Sequence, residues 1–178
     1  MVAQDSVSRL SKNKLNQLFL DALGSAVSHI DDPSGNPLIV DLCRPYPIML
    51  RVYIFNCTNP PGGRALGEYK IQPMIKGQQN GQKCHFDYSE MRTPLCVGYA
   101  QIFGTVEDGV FVLWDTIKHE EFSFSSNFQV KMHVITDALD KPVASGRKTN
   151  GEIILAARRE HLLEAIEQRM DIMFETDV

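Results

Sequence analysis

At 178 residues, with a net charge of −4, 43% apolar and 22% charged side chains, the chain has the makeup of an ordinary globular protein, long enough for one sizeable core and short for two domains. No run approaches the roughly 18 apolar residues of a membrane span, and the opening MVAQDSVSRLSKNK lacks the apolar core of a signal peptide. These features exclude a helical membrane protein and a low-complexity chain, and predict a cytoplasmic protein with no membrane partner.

In chain order, Leu15, Leu18, Phe19, Ala22, Leu23, Ala26, Val27 and Ile30 recur at helical spacing, predicting a helix over 11–30 with Ser11 as its cap. DDPSGNP (31–37) has turn chemistry, and LIVDL (38–42) is a short apolar strand. IMLRVYIFN (48–56) is too apolar to be half exposed and suits a central strand that starts after Pro45 and Pro47, which donate nothing to a ladder. GEYKIQPMI (67–75) follows as a strand, with KGQQNGQK (76–83) its exposed tip and Asn80-Gly81 the turn dipeptide.

LCVGYAQIF (95–103) and GVFVLWD (109–115) predict a hairpin, FSFSSNFQVKM (122–132) a strand running into a short helix near 133–140, and EIILAA (152–157) a last strand. The closing stretch 158–173 reads as a helix burying Leu162, Ala165, Ile166, Met170 and Met173. With no repeat, linker or low-complexity block, residues 1–178 predict one α/β (α+β) domain: a mixed, largely antiparallel sheet flanked by N- and C-terminal helices.

Charge is unevenly distributed. Residues 44–92 carry Arg44, Arg51, Arg64, Lys70, Lys76, Lys83 and Arg92 against Glu68, Asp87 and Glu90, a net +4 that leaves −8 for the remainder. A basic sector on an acidic protein can orient it toward a polyanion, unless its side chains point in several directions. Cys43, Cys57, Cys84 and Cys96 form no Cys-x-x-Cys pair. Zinc at Cys84-His85 competes with ordinary buried thiols, and no metal, cofactor or disulfide is expected.

Two chemistries compete for the stretch RPYPIMLRVYIFNCTNPPGGRALGEYKIQ, residues 44–72. Asp41 upstream of Glu68-Tyr69-Lys70 has the form of a magnesium-dependent nuclease, with carboxylates holding the metal and a lysine orienting water. An acid-x-Lys triplet, however, arises by composition roughly once in a chain this long. Strand alternation puts Glu68 and Lys70 on one face regardless, and an arginine next to Asp41 would make it half of an ion pair. His119, beside Lys118 near a strand end, has no sequence-adjacent nucleophile and suits a packing role as well as a site. Loop and elbow motifs of other phosphate and acyl chemistries are absent from the sequence.

As a binding surface, Arg44-Pro45-Tyr46-Pro47 forms a rigid apolar step beside a guanidinium able to grip a phosphate. Pro60-Pro61-Gly62-Gly63-Arg64 offers a second rigid loop whose glycines let backbone N–H groups approach an anion. Gln78, Gln79 and Asn80 are amides of the kind that read base edges, or else a solvated hairpin tip.

The quoted run, with FVLWD-x3-H-x2-F-x-FSSNFQV downstream, resembles the DNA sulfur-binding domains of modification-dependent (type IV-like) restriction endonucleases, over about residues 10–170. The resemblance implies a bacterial-defence module that binds double-stranded DNA carrying a backbone phosphorothioate. Tyr46 and Pro47 would line the sulfur pocket and Arg44 would hold the phosphate. Arg64, Lys70, His119 and Asn127 would be further contacts, with flanking bases read in the major groove. No His-Asn-His nuclease module follows, so the chain is expected to be a reader that leaves cutting to a separate nuclease subunit or module.

Overall fold

The computed structural model describes residues 8–59 and 67–175. Helix α1 (Lys12–Leu23) is followed by β1 (Val27–Ile30), β2 (Leu38–Leu42) and β3 (Ile48–Cys57). Then come β4 (Glu68–Ile71), β5 (Lys83–Cys84), β6 (Thr93–Ala100), β7 (Val110–Trp114), β8 (Phe122–Ser123) and β9 (Phe128–Lys131). Helix α2 (Met132–Asp137), β10 (Ala144–Arg147), β11 (Ile153–Arg158) and α3 (Leu162–Glu175) complete the chain.

One seven-stranded sheet, ordered β1-β2-β3-β6-β7-β11-β10, organises the domain. Its pairings are antiparallel except for β3 with β6, where Leu50 lies opposite Thr93 and Cys57 opposite Ala100. The expected mixed, mostly antiparallel α+β domain with helices at both ends is therefore present.

The central strands read as apolar runs because both faces are covered. On β3, Ile48, Leu50, Val52 and Ile54 join the core beneath α1 and α3. Tyr53 and Cys57 join a second core on the opposite face with Ile71, Phe86, Phe122, Phe128 and Val130. That second face is roofed by an antiparallel ribbon of β4 and β9, pairing Glu68 with Lys131, Lys70 with Gln129 and Ile71 with Phe128. A short β5–β8 pair lies beside it in the sequence of connections.

Three sequence-based expectations need correction, and one strand had not been predicted. The helix predicted to Ile30 ends at Leu23, because Gly24 takes φ +51° and its N–H bonds to Leu20 O. Val27 and Ile30, apolar at helical spacing by coincidence, belong to β1. The hairpin expected over 67–83 does not form: Pro73 cannot extend the ladder beyond Ile71, and β4 pairs with β9 instead. The strand over 122–132 is split by a turn in which Ser126 N bonds Ser123 O at 3.1 Å and Ser123 N bonds Ser126 Oγ at 3.1 Å. Finally, β10 carries ASGR, which has none of the apolar alternation that marks a strand.

Gly98 in β6 is a point of close approach between the sheet and the ribbon. A Cβ there would lie 2.8 Å from Ile71, 2.9 Å from the Trp114 ring and 3.0 Å from Cys57. Gly98→Ala is expected to cost about 1–3 kcal/mol through overpacking, read as a lower midpoint in urea unfolding; an unchanged midpoint would show that the ribbon floats on the sheet rather than packing against it.

Candidate nucleic-acid interface

The Arg44–Pro47 step is the connection between β2 and β3. Its entry is fixed by the Cys43 amide, which donates to Ala26 O at 2.9 Å. Arg44, Pro45, Tyr46 and Pro47 are all exposed, Tyr46 keeping 40% of its residue surface in solvent. Partial burial raises the Tyr46 phenol above its ordinary pKa, and the carboxylates of Asp171 and Glu167 on α3 raise it further. The apolar step thus has a guanidinium in its own loop and two acids from the C-terminal helix nearby.

Asp41, Glu68 and Lys70 do not converge. Asp41 pairs with Met49 near the start of β3, whereas Lys70 exchanges both backbone hydrogen bonds with Thr58, just past its end. At about 3.3 Å per residue the two positions are roughly 30 Å apart along the strand, while metal ligands lie within about 2.6 Å of a shared ion. Asp41 is instead held by Arg92, whose Nη1 donates to Oδ1 at 2.6 Å. The ion pair anticipated for Asp41 exists, with Arg92 rather than the adjacent Arg44 as partner. Among the described residues, no group of three His, Cys, Asp or Glu side chains is placed to hold a metal ion.

The remaining candidates fall into two sets. Lys70 and Asn127 meet directly, Lys70 Nζ donating to Asn127 Oδ1 at 3.1 Å on the ribbon. His119 meets the ribbon from its inner side, its ring stacked on the buried Phe128 with centroids 3.8 Å apart. Gln78 is buried, its side chain accepting from Ile75 N at 3.2 Å and donating to Gln82 O at 3.1 Å. It holds its own loop together and presents nothing to a groove. Gln79 is exposed, with its amide N–H bonded to Gln82 Oε1 at 3.0 Å. Arg64 and the Pro60–Gly63 loop lie outside the described residues. An open cavity of about 320 Å³ between α1 and the 31–37 loop, lined by Asn13, Gln17 and Ser34 among others, involves none of the candidates.

Sequence reasoning missed a buried charge cluster at one end of β7 and β11. Glu152, fully buried, accepts from His119 Nε2 at 2.8 Å and from the Asp115 amide at 3.2 Å, with Lys148 Nζ 3.6 Å away. Asp115 Oδ2 accepts from Arg169 Nη2 at 3.2 Å, and Arg169 also donates to Ile153 O. Burial pulls the Arg169 guanidinium down in pKa, against the opposing pull of Asp115 and Glu152. A signal was available: Arg169 falls on the same helical stripe as Leu162, Ala165, Ile166, Met170 and Met173, where a charge requires a partner.

The geometry defines an α+β domain whose exposed features are a proline-tyrosine step at one sheet end and a polar ribbon across one face. The sequence model of the Methylase-associated X1 family matches residues 48–166, and the chain belongs to that family. The match takes in β3 through the first turn of α3, including the ribbon and all of the charge cluster but Arg169, and leaves out the Arg44–Pro47 step. No curated protein and no solved structure matches this chain significantly.

Burial pushes the Glu152 carboxyl up, but the His119 hydrogen bond and charge, Lys148 and the Asp115 amide outweigh it, and the net direction is down. A carboxyl depressed by folding stabilises above the ordinary glutamate pKa and loses that contribution as pH falls through its folded value. Glu152→Gln should therefore cost about 3 kcal/mol at neutral pH, with the gap from wild type closing below about pH 4. Urea titrations across that range measure it, and a gap independent of pH would mean that the ionised form contributes nothing.

Proposed function

We propose that this chain is a non-enzymatic module that recognises double-stranded DNA bearing a backbone phosphorothioate, with the Arg44–Pro47 step as the sulfur contact. The observation carrying this reading is that the step is solvent-facing: proline rings and the Tyr46 ring stand exposed beside Arg44 at a sheet-end bend. Sulfur is larger, softer and less hydrated than oxygen, so apolar surface gains contact with it where burying a hydrated oxygen would cost free energy. Arg44 supplies a forked donor to the same or a neighbouring phosphate.

Membership of a methylase-associated family supports a setting of DNA modification and restriction. The distance between Asp41 and Lys70, and the Asp41–Arg92 pair, favour binding over cutting. An overall charge of −4, with Glu167 and Asp171 near the step, gives little general attraction to a polyanion. Affinity then comes from a few local contacts, and its salt dependence is correspondingly shallow, set by the few phosphates they engage.

Gel shifts with matched duplexes, one carrying a single stereo-defined phosphorothioate, are expected to show tighter binding of the modified duplex. Tyr46→Ala should abolish the difference, and Lys76→Ala should weaken both duplexes about equally. Equal affinity of the wild type for both removes the sulfur reading. Magnesium-dependent cutting of plasmid by the wild type, lost in Glu68→Ala, would replace it with an enzymatic one.

A further inference from the structure

We infer that Glu167 and Asp171 of α3 set the affinity threshold of the Arg44–Pro47 step by opposing every phosphate that approaches it. An unmodified duplex then stays unbound, and a link that adds an apolar contact is held. The inference rests on the DNA-binding reading above. Strand directions gather the parts at one end of the sheet: β2 ends and β3 begins there, on either side of the step, and β7 ends and β11 begins there too. Helix α3 starts after β11 has crossed to the far end, and runs back. Arg169 fixes its return, donating to Asp115 Oδ2 just past β7 and to Ile153 O at the start of β11. The core draws the step against the same helix, because Leu42 before it and Ile48 after it are buried in one cluster with Ile166, Met170 and Met173. Glu167 and Asp171 lie two residues before and after Arg169, the first half-buried and the second exposed. Besides partial burial, both carboxylates raise the pKa of the Tyr46 phenol.

Other acids at this sheet end are engaged inside the protein. Asp41 is taken by Arg92, Asp87 and Glu90 by Arg51, and Asp115 by Arg169. Among the described residues no ion pair occupies Glu167, Asp171 or Arg44. Their charge therefore acts on whatever meets the step, one guanidinium against two carboxylates. An ordinary phosphodiester and a phosphorothioate each bring one negative charge, so the repulsion falls on both alike. What differs is the offset. The softer, less hydrated sulfur gains contact with the proline and tyrosine rings, whereas burying a hydrated oxygen against them costs free energy. Discrimination of this kind uses an unfavourable element that the right ligand alone overcomes.

The test is a fluorescence-anisotropy titration of the full chain on plain and singly phosphorothioated duplexes at low and moderate salt. Glu167→Gln combined with Asp171→Asn is expected to tighten binding of both duplexes about 5- to 30-fold at low salt, and the gain should shrink as salt rises. The ratio of modified to plain affinity should stay within about twofold of wild type, as for independent contributions. Glu107→Gln, in the β6–β7 connection at the opposite sheet end, should leave both affinities within about twofold. Melting temperatures confirm that the variants fold. A plain-duplex affinity that is unchanged or weakened in the double variant, or raised as much by Glu107→Gln, overturns the proposal. A ratio that falls to one in the double variant also overturns it, because the carboxylates would then be reading the sulfur directly. The sulfur reading is judged separately, by the wild-type ratio. A wild type that ignores sulfur, with tighter binding in the double variant, removes the sulfur contact and supports the opposition by the two acids. Binding to no duplex by either protein removes both.

Discussion

The charge cluster of Glu152, Asp115, Arg169, His119 and Lys148 is the constraint on which the rest of the domain depends. Glu152 and Arg169 are fully buried, and an uncompensated charge in such a place would cost several kcal/mol. Each is acceptable only while its partners hold position, so the cluster couples elements that are otherwise separate. Arg169 binds α3 to the ends of β7 and β11. Glu152 passes the constraint through His119 to Phe128 and so to the ribbon. The helical face and the ribbon face of the sheet are joined at this one end by charge, in addition to packing.

The same accounting revises the meaning of the basic window at 44–92. Arg51 is buried and spends its guanidinium on Asp87 O and Ser89 O and on the Glu90 carboxylate. Arg92 is engaged with Asp41 and Leu50 O, and Lys83 pairs with Glu121 at 3.1 Å. Much of the local positive charge therefore shapes the 85–92 loop and the sheet margin rather than an outer surface. A binding surface on this protein has to work through a few oriented groups, since net charge gives it no help.

The fold class and most of the central sheet were legible in the sequence because strands covered on both faces leave uninterrupted branched and aromatic runs, as at 48–57 and 110–114. The buried stripe of α3 was legible for the related reason that its spacing is helical. What escaped was decided by partners distant in sequence. Val27 and Ile30 fit a helix until Gly24 ends it and β2 claims them. The choice of β9 over a local hairpin for β4 depends on a pairing across sixty residues of chain that no local pattern announces. At the candidate site, Lys70 and Asn127 were each identifiable by type, and their meeting was not. Tyr46 and Lys70, neighbours in the quoted stretch, stand at opposite ends of β3, because a long strand turns closeness in sequence into distance in space. The buried roles of Glu152 and Asp115 were hidden because a charge at a strand end reads as a surface cap.

The parallel pairing among the described strands, between β3 and β6, also bears on how the chain reaches this state. Parallel neighbours cannot close through a tight turn, so everything from Thr58 to Arg92, the ribbon strand β4 included, is the excursion that brings β6 back alongside β3. The opening segment is also tied in at long range, Leu10 exchanging hydrogen bonds with Asn56 across 46 positions. Such distant closures pay loop entropy before contacts repay it, which slows folding. The ribbon is thus carried on the long-range part of the topology, where closing the chain costs the most loop entropy.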